Sequence, residues 1–447
     1  MTSAAGGPAL LTDQYELTMV SAALSTGHAD RECVFEVFGR RLPGRRRFGV
    51  VAGTGRLLDA LRDFTFDEEA LSFLRAGNIV DDAALEWLAG YRFTGDIDGY
   101  PEGECYFPGS PILVVRGTFA EAVVLETLAL SILNHDTAIA TAAARMRIAA
   151  GTRPLVEMGS RRTHEWSAVA AARAAYIAGF TSTSNLEAGR RYGIPTAGTA
   201  AHAFTLLHGD ELAAFAAQVA ALGVGTTLLV DTYDVAAAVR TAVAVAGTRL
   251  GAVRIDSGDI GAAARDVRAQ LDGLGARDTR ILVSGDLDEF AIAGLAAAPV
   301  DAYGVGTQVV TGSGAPTAEL VYKLVARADG PGSGQVLTGV AKNSAGKPTH
   351  KGRKWALRRL SEAGVAEAEL LSTRAVPAGD ANDRPLLVPM VRGGEVVHEE
   401  PLLRARERLT ASLAELPRVS LSLSAGDPAI GTTYLDEPTT AASGCRR

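Results

Sequence analysis

A chain of 447 residues with 47% hydrophobic content is long enough for a sizeable buried core and for two or three domains. Its formal net charge of −7, from 44 basic and 51 acidic residues, excludes a global attraction to nucleic acid or an anionic membrane, so any anionic ligand must be caught locally. Three scattered cysteines, Cys33, Cys105 and Cys445, offer neither a disulfide framework nor metal-ligand spacing; no signal peptide or 18-residue apolar span opens the chain, which reads as cytoplasmic.

After MTSAAGGPA, the segment TDQYELTMVSAAL places Asp13 as an N-cap with Glu16 three residues on, the pattern of a capping box, and apolar spacing then continues to Leu24. CVFEVFGRR alternates as a strand, and FGVVAGTGRLLDALRDF reads strand, glycine turn, helix. Arg40, Arg41, Arg45, Arg46 and Arg47 share one loop, read as a solvated basic loop in preference to a phosphate-facing one. From Gly95 to Gly117 glycine and proline punctuate a β-rich stretch that closes an N-terminal α+β domain. Phe119 to Leu133 and Thr137 to Ala149 read as two successive helices, with Asp136 capping the second.

The next part of the chain repeats one phrase, a short apolar run, a polar loop and a helical pattern, which is the signature of β/α units around a parallel sheet. Its centre is GAVRIDSGD, Gly251 to Asp259, where an apolar run stops at a charged turn containing glycine. The strand candidates are PLVEMGS, GFTST, GIPTAGT, TTLLVDT, AVRIDS, ILVSGD and DAYGVGT, seven where an ideal barrel has eight. The expected fold is therefore α/β, an irregular seven-stranded β/α barrel. Gly193, Gly223 and Gly247 stand where helices need a left-handed cap. Beyond Lys323, DGPGSGQ reads as a flexible turn and KPTHKGRKWALRR, Lys347 to Arg359, as a basic patch before a mixed C-terminal region. The tail after Pro417 reads as loosely held. The implied division is 1–134 (N-terminal α+β), 135–328 (barrel) and 329–447 (C-terminal region, packing on the N-terminal domain).

In a parallel β/α array ligands gather at the strands' C-terminal ends. Those ends carry Glu157 and Arg161, Ser184, Thr199 and His202, Asp231, Arg254 and Asp256, Gly285 and Asp286, and Gly304, Gly306 and Thr307. Acids can accept from ribose hydroxyls while backbone N–H groups in glycine turns hold phosphate, so the ring suits a sugar phosphate. His202 projects at the mouth of the ring; an imidazole there can be a base, a metal ligand or a phosphoryl acceptor, and GTAAH does not choose among them. No HExxH, paired CxxC or GxxxxGK[ST] occurs, which removes support for zinc hydrolase and P-loop readings.

Together LLTDQYELTM, FPGSPILVVRG, LVEMGSRR, GFTSTSN, GTAAHAF, LLVDTYDV, VRIDSGD, YGVGTQVVT and VYKLV, spread over most of residues 10 to 325, make the chain resemble nicotinate phosphoribosyltransferase. The resemblance implies a type II phosphoribosyltransferase barrel that transfers phosphoribose from 5-phosphoribosyl 1-diphosphate to nicotinate, with ATP and Mg²⁺. It makes His202 the histidine that ATP phosphorylates, Thr199 and Arg254 nicotinate-binding positions, and Thr307 a contact of the phosphoribosyl group. Asp256 would hold ribose hydroxyls, Arg161 would face the diphosphate, and Gly285 and Gly306 would cradle the 5′-phosphate. It further implies a homodimer in which Tyr15 of one subunit stacks on the pyridine held by the other. Ser184 argues against a nicotinamide-specific relative, since an acid at that place would suit an amide and repel a carboxylate. Nicotinamide or quinolinate phosphoribosyltransferase on the same scaffold, a barrel lyase or aldolase, and an inactive scaffold are the competing readings; a Schiff-base lysine at a strand end, the signal of the aldolase, is absent from the ring.

Overall fold

The run RECVFEVFG, rich in β-branched and aromatic residues, forms a strand at Arg31–Gly39 that is buried from Glu32 onward, as befits a strand covered on both faces. The computed structural model describes residues 7–332, 334–342 and 350–436. Arg31–Gly39 pairs antiparallel with Leu113–Thr118 on one side and Leu320–Pro331 on the other, inside a seven-stranded sheet. The chain therefore returns to this sheet after the barrel. One compact unit runs to Ala138 and resumes at Thr317, and the other is Ile139–Pro316. The expected boundary at 328 falls inside the strand Leu320–Pro331, and that at 134 inside a helix, because strand pairing and helix continuity leave no trace in local composition.

Two N-terminal expectations are corrected. Asp13 is the N-cap of the helix Gln14–Ser25, but its side chain makes no capping bond. Glu16 turns inward instead, fully buried, and its Oε1 accepts from Thr127 N at 2.9 Å and Thr127 Oγ1 at 2.6 Å. It thus serves a free N–H in the first turn of another helix, Glu126–Ala150. Burial pushes the Glu16 carboxyl up to about 7 against the Thr127 hydrogen bonds, and its Oε2 has no partner. Nor does Asp136 cap a helix. The break falls earlier: Phe119–Val123 is a short helix with a true capping box between Thr118 and Glu121, and Glu126–Ala150 then runs unbroken through Asp136. Asp136 is buried in mid-helix, where Arg56 Nη1 reaches its two oxygens at 2.8 and 3.0 Å. Burial disfavours the charge, yet Arg56 and His135 outweigh it and hold the carboxyl below the usual range. The segment Phe119–Ala150 is long and apolar enough to cross a membrane, but 67% of its most apolar window is buried inside the protein, which accounts for its composition.

The basic loop is structural in part: Arg41 pairs with Glu319 at 2.6 Å, and Arg46 is buried. The C-terminal region builds a four-stranded sheet from Arg384–Pro385, Trp355–Leu360, Ala366–Ser372 and Gly431–Tyr434. Gly431–Tyr434 pairs in parallel with Ala366–Ser372, so the chain beyond Pro417 is held as far as Asp436; Cys445 lies outside the described residues. In the basic patch, Lys347 to Thr349 also lie outside them, and two of the remaining cations are interior. Lys354 Nζ meets Glu36 Oε2 at 2.6 Å, and Arg358 Nη2 meets Glu369 Oε1 at 2.7 Å, each pair almost wholly shut from solvent.

The second unit is a parallel sheet in the order Ser182–Thr183, Leu155–Glu157, Ala302–Val305, Arg280–Val283, Ala252–Ile255, Thr227–Leu229. Six of the seven expected strands are present. The seventh, GIPTAGT, contributes one parallel bridge, Thr196 to Thr183, because Pro195 removes a donor and Gly198 weakens the run. Helices alternate with the strands, and Asn185, Asp210, Asp234, Asp259 and Asp288 each cap one by accepting a backbone N–H. Gly193 ends its helix as the expected left-handed cap (φ 67°, ψ 22°), whereas Gly223 and Gly247 have positive φ of 80° and 73° with extended ψ of 169° and −174°, a conformation open to glycine but not the left-handed helical cap.

Candidate active site

The strand Ala252–Ile255 buries Val253 and Ile255 completely, so its period of two sends Arg254 to the opposite face, where the side chain is 15% exposed. The guanidinium makes three side-chain bonds: Nε to Ser284 Oγ at 2.7 Å, Nη1 to Thr199 Oγ1 at 2.9 Å and Nη2 to Asp256 Oδ1 at 2.9 Å. Ser284 Oγ in turn donates to Asp256 Oδ1 at 2.5 Å. A guanidinium has five N–H donors, so two remain for an incoming anion. The expected residues Thr199, Arg254 and Asp256 are thus brought into one network. Ser284 joins it unforeseen: it closes ILVSGD, and only the strand order shows that it faces Arg254.

The network continues to the next strand end. Asp231 Oδ2 accepts from Asp256 N at 2.9 Å and Ser257 Oγ at 2.7 Å, while its buried Oδ1 has no partner. The nearest cation-forming group is His202, whose Nε2 lies 3.9 Å from Asp231 Oδ1 and whose Nδ1 is 3.1 Å from Thr232 Oγ1. His202 opens the helix His202–His208 with its side chain 42% exposed, so one imidazole is oriented by two neighbours and still open to solvent. Thr232 is a second residue that the sequence reading passed over; LLVDTYDV held the signal, since a hydroxyl follows the strand-end acid.

At the other strand ends, Glu157 Oε2 accepts from Thr183 Oγ1 at 2.5 Å, and burial raises this carboxyl's pKa against the hydrogen bonds from Thr183 and Gly159. Ser184 is exposed, with its backbone N bound to Glu157 O at 2.8 Å, and Arg161 is exposed in the turn after Leu155–Glu157. Both lie at the ends of the strands where they were expected, but among the described residues neither bonds to the Arg254 network. Asn185, also unforeseen, caps Leu186–Tyr192 and reaches Ser160 Oγ at 3.0 Å. Gly285 adopts φ of 132°, which glycine alone takes without strain, and a Cβ there would sit 3.3 Å from Asp256 O. Gly306 and Thr307 open the single turn Thr307–Val310. A Cβ on Gly304 would lie 2.8 Å from Met158 Sδ and 3.1 Å from Ser284 Cβ, so a glycine here is what lets Ser284 pack close. Tyr15 belongs to the first unit, on Gln14–Ser25, and is 45% exposed; burial and then Glu126 push its hydroxyl up to about 12. Among the described residues no group of three or more His, Cys, Asp or Glu is arranged to hold a metal ion. A cavity of about 630 Å³, lined by Phe38, Arg40, His350 and Tyr434 among others, belongs to the first unit and includes none of these strand ends.

An open parallel β/α barrel whose strand ends join arginine, aspartate, serine and a half-exposed histidine defines an enzyme of the α/β-barrel class suited to an anionic, hydroxyl-rich substrate. Residues 10–134 match the family model for the nicotinate phosphoribosyltransferase N-terminal domain. Nicotinate phosphoribosyltransferase pncB1 of Mycobacterium tuberculosis is 59% identical over 95% of this chain and 94% of its own length, and pncB2 of the same organism is 41% identical over 92% and 88%. The crystal structure of human nicotinic acid phosphoribosyltransferase matches with a TM-score of 0.79 at 26% identity, covering 95% of this chain and 98% of that one. The chain belongs to the nicotinate phosphoribosyltransferase family.

Proposed function

We propose that this enzyme transfers phosphoribose from 5-phosphoribosyl 1-diphosphate to nicotinate in NAD salvage, coupled to ATP, giving nicotinate mononucleotide, diphosphate, ADP and phosphate. The observation that carries the reading is Arg254, held by Ser284, Thr199 and Asp256 with two N–H donors to spare. A fixed fork of donors matches a carboxylate and discriminates against a neutral amide. This favours nicotinate over nicotinamide.

The transfer joins the pyridine nitrogen to C1 of the sugar as the C1–O bond to diphosphate breaks, through a state with oxocarbenium character. The protein's part is to hold the reactants in line and to stabilise separating charge. Arg254 and Thr199 would orient the pyridine, and Asp256, already drawn toward Arg254, would accept from ribose hydroxyls. The positive-φ turn at Gly285 and the turn at Gly306 and Thr307 offer backbone N–H groups to the 5′-phosphate, and Arg161 is an exposed cation for the diphosphate. Among the described residues no cluster of acids, histidines or cysteines forms a cage for a metal, and Mg²⁺ would arrive on the diphosphate with that group's oxygens as ligands. Its chemistry when bound would be to neutralise the leaving charge.

His202 would take the γ-phosphate of ATP: an imidazole nitrogen attacks phosphorus, the P–O bond to ADP breaks, and later hydrolysis of the P–N bond frees phosphate. Asp231 Oδ1, buried and unpaired 3.9 Å from Nε2, would orient the ring and favour the imidazolium-like charge that forms. Phosphorylation would change charge and order at the strand ends, so the coupling would be conformational. The working form would be a cytoplasmic homodimer in which Tyr15 of one copy stacks on the pyridine held by the other. Incubation with γ-labelled ATP tests the histidine's role. Acid-labile label should appear in the wild type and vanish in His202→Ala, which should keep a slow, ATP-independent synthesis; label retained in His202→Ala would overturn the assignment.

A further inference from the structure

Away from the barrel, a cavity of about 550 Å³ opens between the helix Gln14–Ser25 and the neighbouring strands Arg31–Gly39 and Leu320–Pro331. Its volume falls in the range that holds a drug-sized or nucleotide-sized molecule. It exists because the helix presents Ala22 and Ala23 at its C-terminal end, where larger residues would fill the space over the sheet. The apolar part of the wall is Met19, Phe119 and Leu324, with the Cys33 thiol at the floor.

The rim is cationic. Arg31 and Arg327 both line the cavity, from adjacent antiparallel strands in which Cys33 stands opposite Arg327. Burial pushes the Cys33 thiol up to about 11, and the Arg327 and then the Arg31 charges oppose that shift. Arg31 Nε is shut from solvent and meets no hydrogen-bond partner. Arg327 spends one amino group on Asp329 Oδ1 at 2.8 Å and on Ala328 O, both on its own strand, and His28 at the mouth is tied through Nδ1 to Thr26 O at 2.7 Å. The Arg31 Nε–H is closed to a ligand as well, but among the described residues the Arg31 amino groups and the second amino group of Arg327 make no bond to another residue, and a phosphate oxygen is the partner whose charge suits them.

We propose that this cavity is a second ligand site, separate from the strand-end site, that takes an aromatic phosphate: a flat ring packed on Met19, Phe119 and Leu324, with the phosphate between Arg31 and Arg327. That is the chemistry of a mononucleotide. The roof of the site is the helix that carries Tyr15 one turn before Met19, so a bound ligand stiffens the Tyr15 segment.

Hydrogen exchange read by mass spectrometry on the full chain tests the site directly, with phenyl phosphate as probe and inorganic phosphate as control. Phenyl phosphate should slow exchange at least twofold in peptides spanning 14–33 and 320–331, and inorganic phosphate at equal concentration should not. The double variant Arg31→Met, Arg327→Met should lose the protection, and so should Ala22→Trp, which fills the cavity. Either variant with protection intact, or a wild type without it, overturns the proposal. Parallel arms with AMP and nicotinate mononucleotide, read at 320–331 because the reaction product would also protect the Tyr15 segment through the strand-end site, separate an adenine from a pyridine source by which protects that peptide at the lower concentration; protection of 320–331 by neither overturns the mononucleotide assignment.

Discussion

Truncating Arg254 to alanine removes three hydrogen bonds at once and leaves Asp256 with its charge balanced only by the Ser284 hydroxyl. Removing one partner of a hydrogen-bonded charge pair at a desolvated site costs on the order of 2 to 5 kcal/mol. The Arg254 and Asp256 side chains are 15% and 31% exposed, so solvent screens part of this and the loss belongs at the lower end, about 2 to 3 kcal/mol. At about 1.4 kcal/mol per factor of ten that is roughly a 30- to 150-fold fall in kcat/KM for nicotinate. Diphosphate release under steady-state conditions measures it, with nicotinamide as the alternative acceptor. Nicotinate should lose more than nicotinamide, so the ratio of their kcat/KM values should narrow. Arg254→Lys should fall between wild type and Arg254→Ala, because one ammonium cannot reach Ser284, Thr199 and Asp256 together. Thermal unfolding should fall by only a few degrees: Val253 and Ile255 keep the core side of the strand, while the partly exposed Arg254–Asp256 pair is lost. A loss below threefold, or an equal loss for acid and amide, would refute Arg254 as the carboxylate anchor.

Other consequences follow from particular side chains. Glu16, buried and raised to about 7, should make the fold less stable as pH rises from its ordinary range near 4.5 through 7, because the folded state holds a proton that the unfolded chain releases earlier; melting temperatures at pH 5 and pH 8 should converge in Glu16→Gln. Lys354→Met strands the buried Glu36 carboxylate and should cost about 3 to 5 kcal/mol in urea unfolding, most of it recovered in the double variant Glu36→Leu, Lys354→Met. Sedimentation should show a dimer at assay concentrations, and a fully active monomer would remove the shared role given to Tyr15.

Local patterns carried most of the barrel. Short apolar runs ending at IDSGD, SGD and GVGT located the strands and their working ends, and Thr199, Arg254 and Asp256 do converge. What stayed hidden depends on three-dimensional neighbours. Ser284 is one of many serines until the strands Arg280–Val283 and Ala252–Ile255 lie side by side. Asp136 has the residue type of a cap, but burial beside Arg56 makes it a core ion partner, and a leucine-rich, apolar run before it and an alanine-rich run after it let the helix pass through. Glu16 matched a capping box three residues from Asp13, yet Thr127 N, far along the chain, claimed it. GIPTAGT was read as a strand on its flanking pattern, and its proline and glycines left one bridge. The strand Leu320–Pro331 reads locally as the close of the barrel, while its partner is Arg31–Gly39.

The central claim is that Arg254, Thr199, Asp256 and Ser284 form a site that joins nicotinate to phosphoribose. The most direct measurement gives the purified enzyme 5-phosphoribosyl 1-diphosphate, Mg²⁺ and ATP with labelled nicotinate, nicotinamide or quinolinate in separate reactions, and resolves the nucleotide products. Nicotinate mononucleotide formed from nicotinate, with little product from the amide or the dicarboxylate, is the predicted result. No nucleotide from nicotinate, or a preference for nicotinamide, would contradict it.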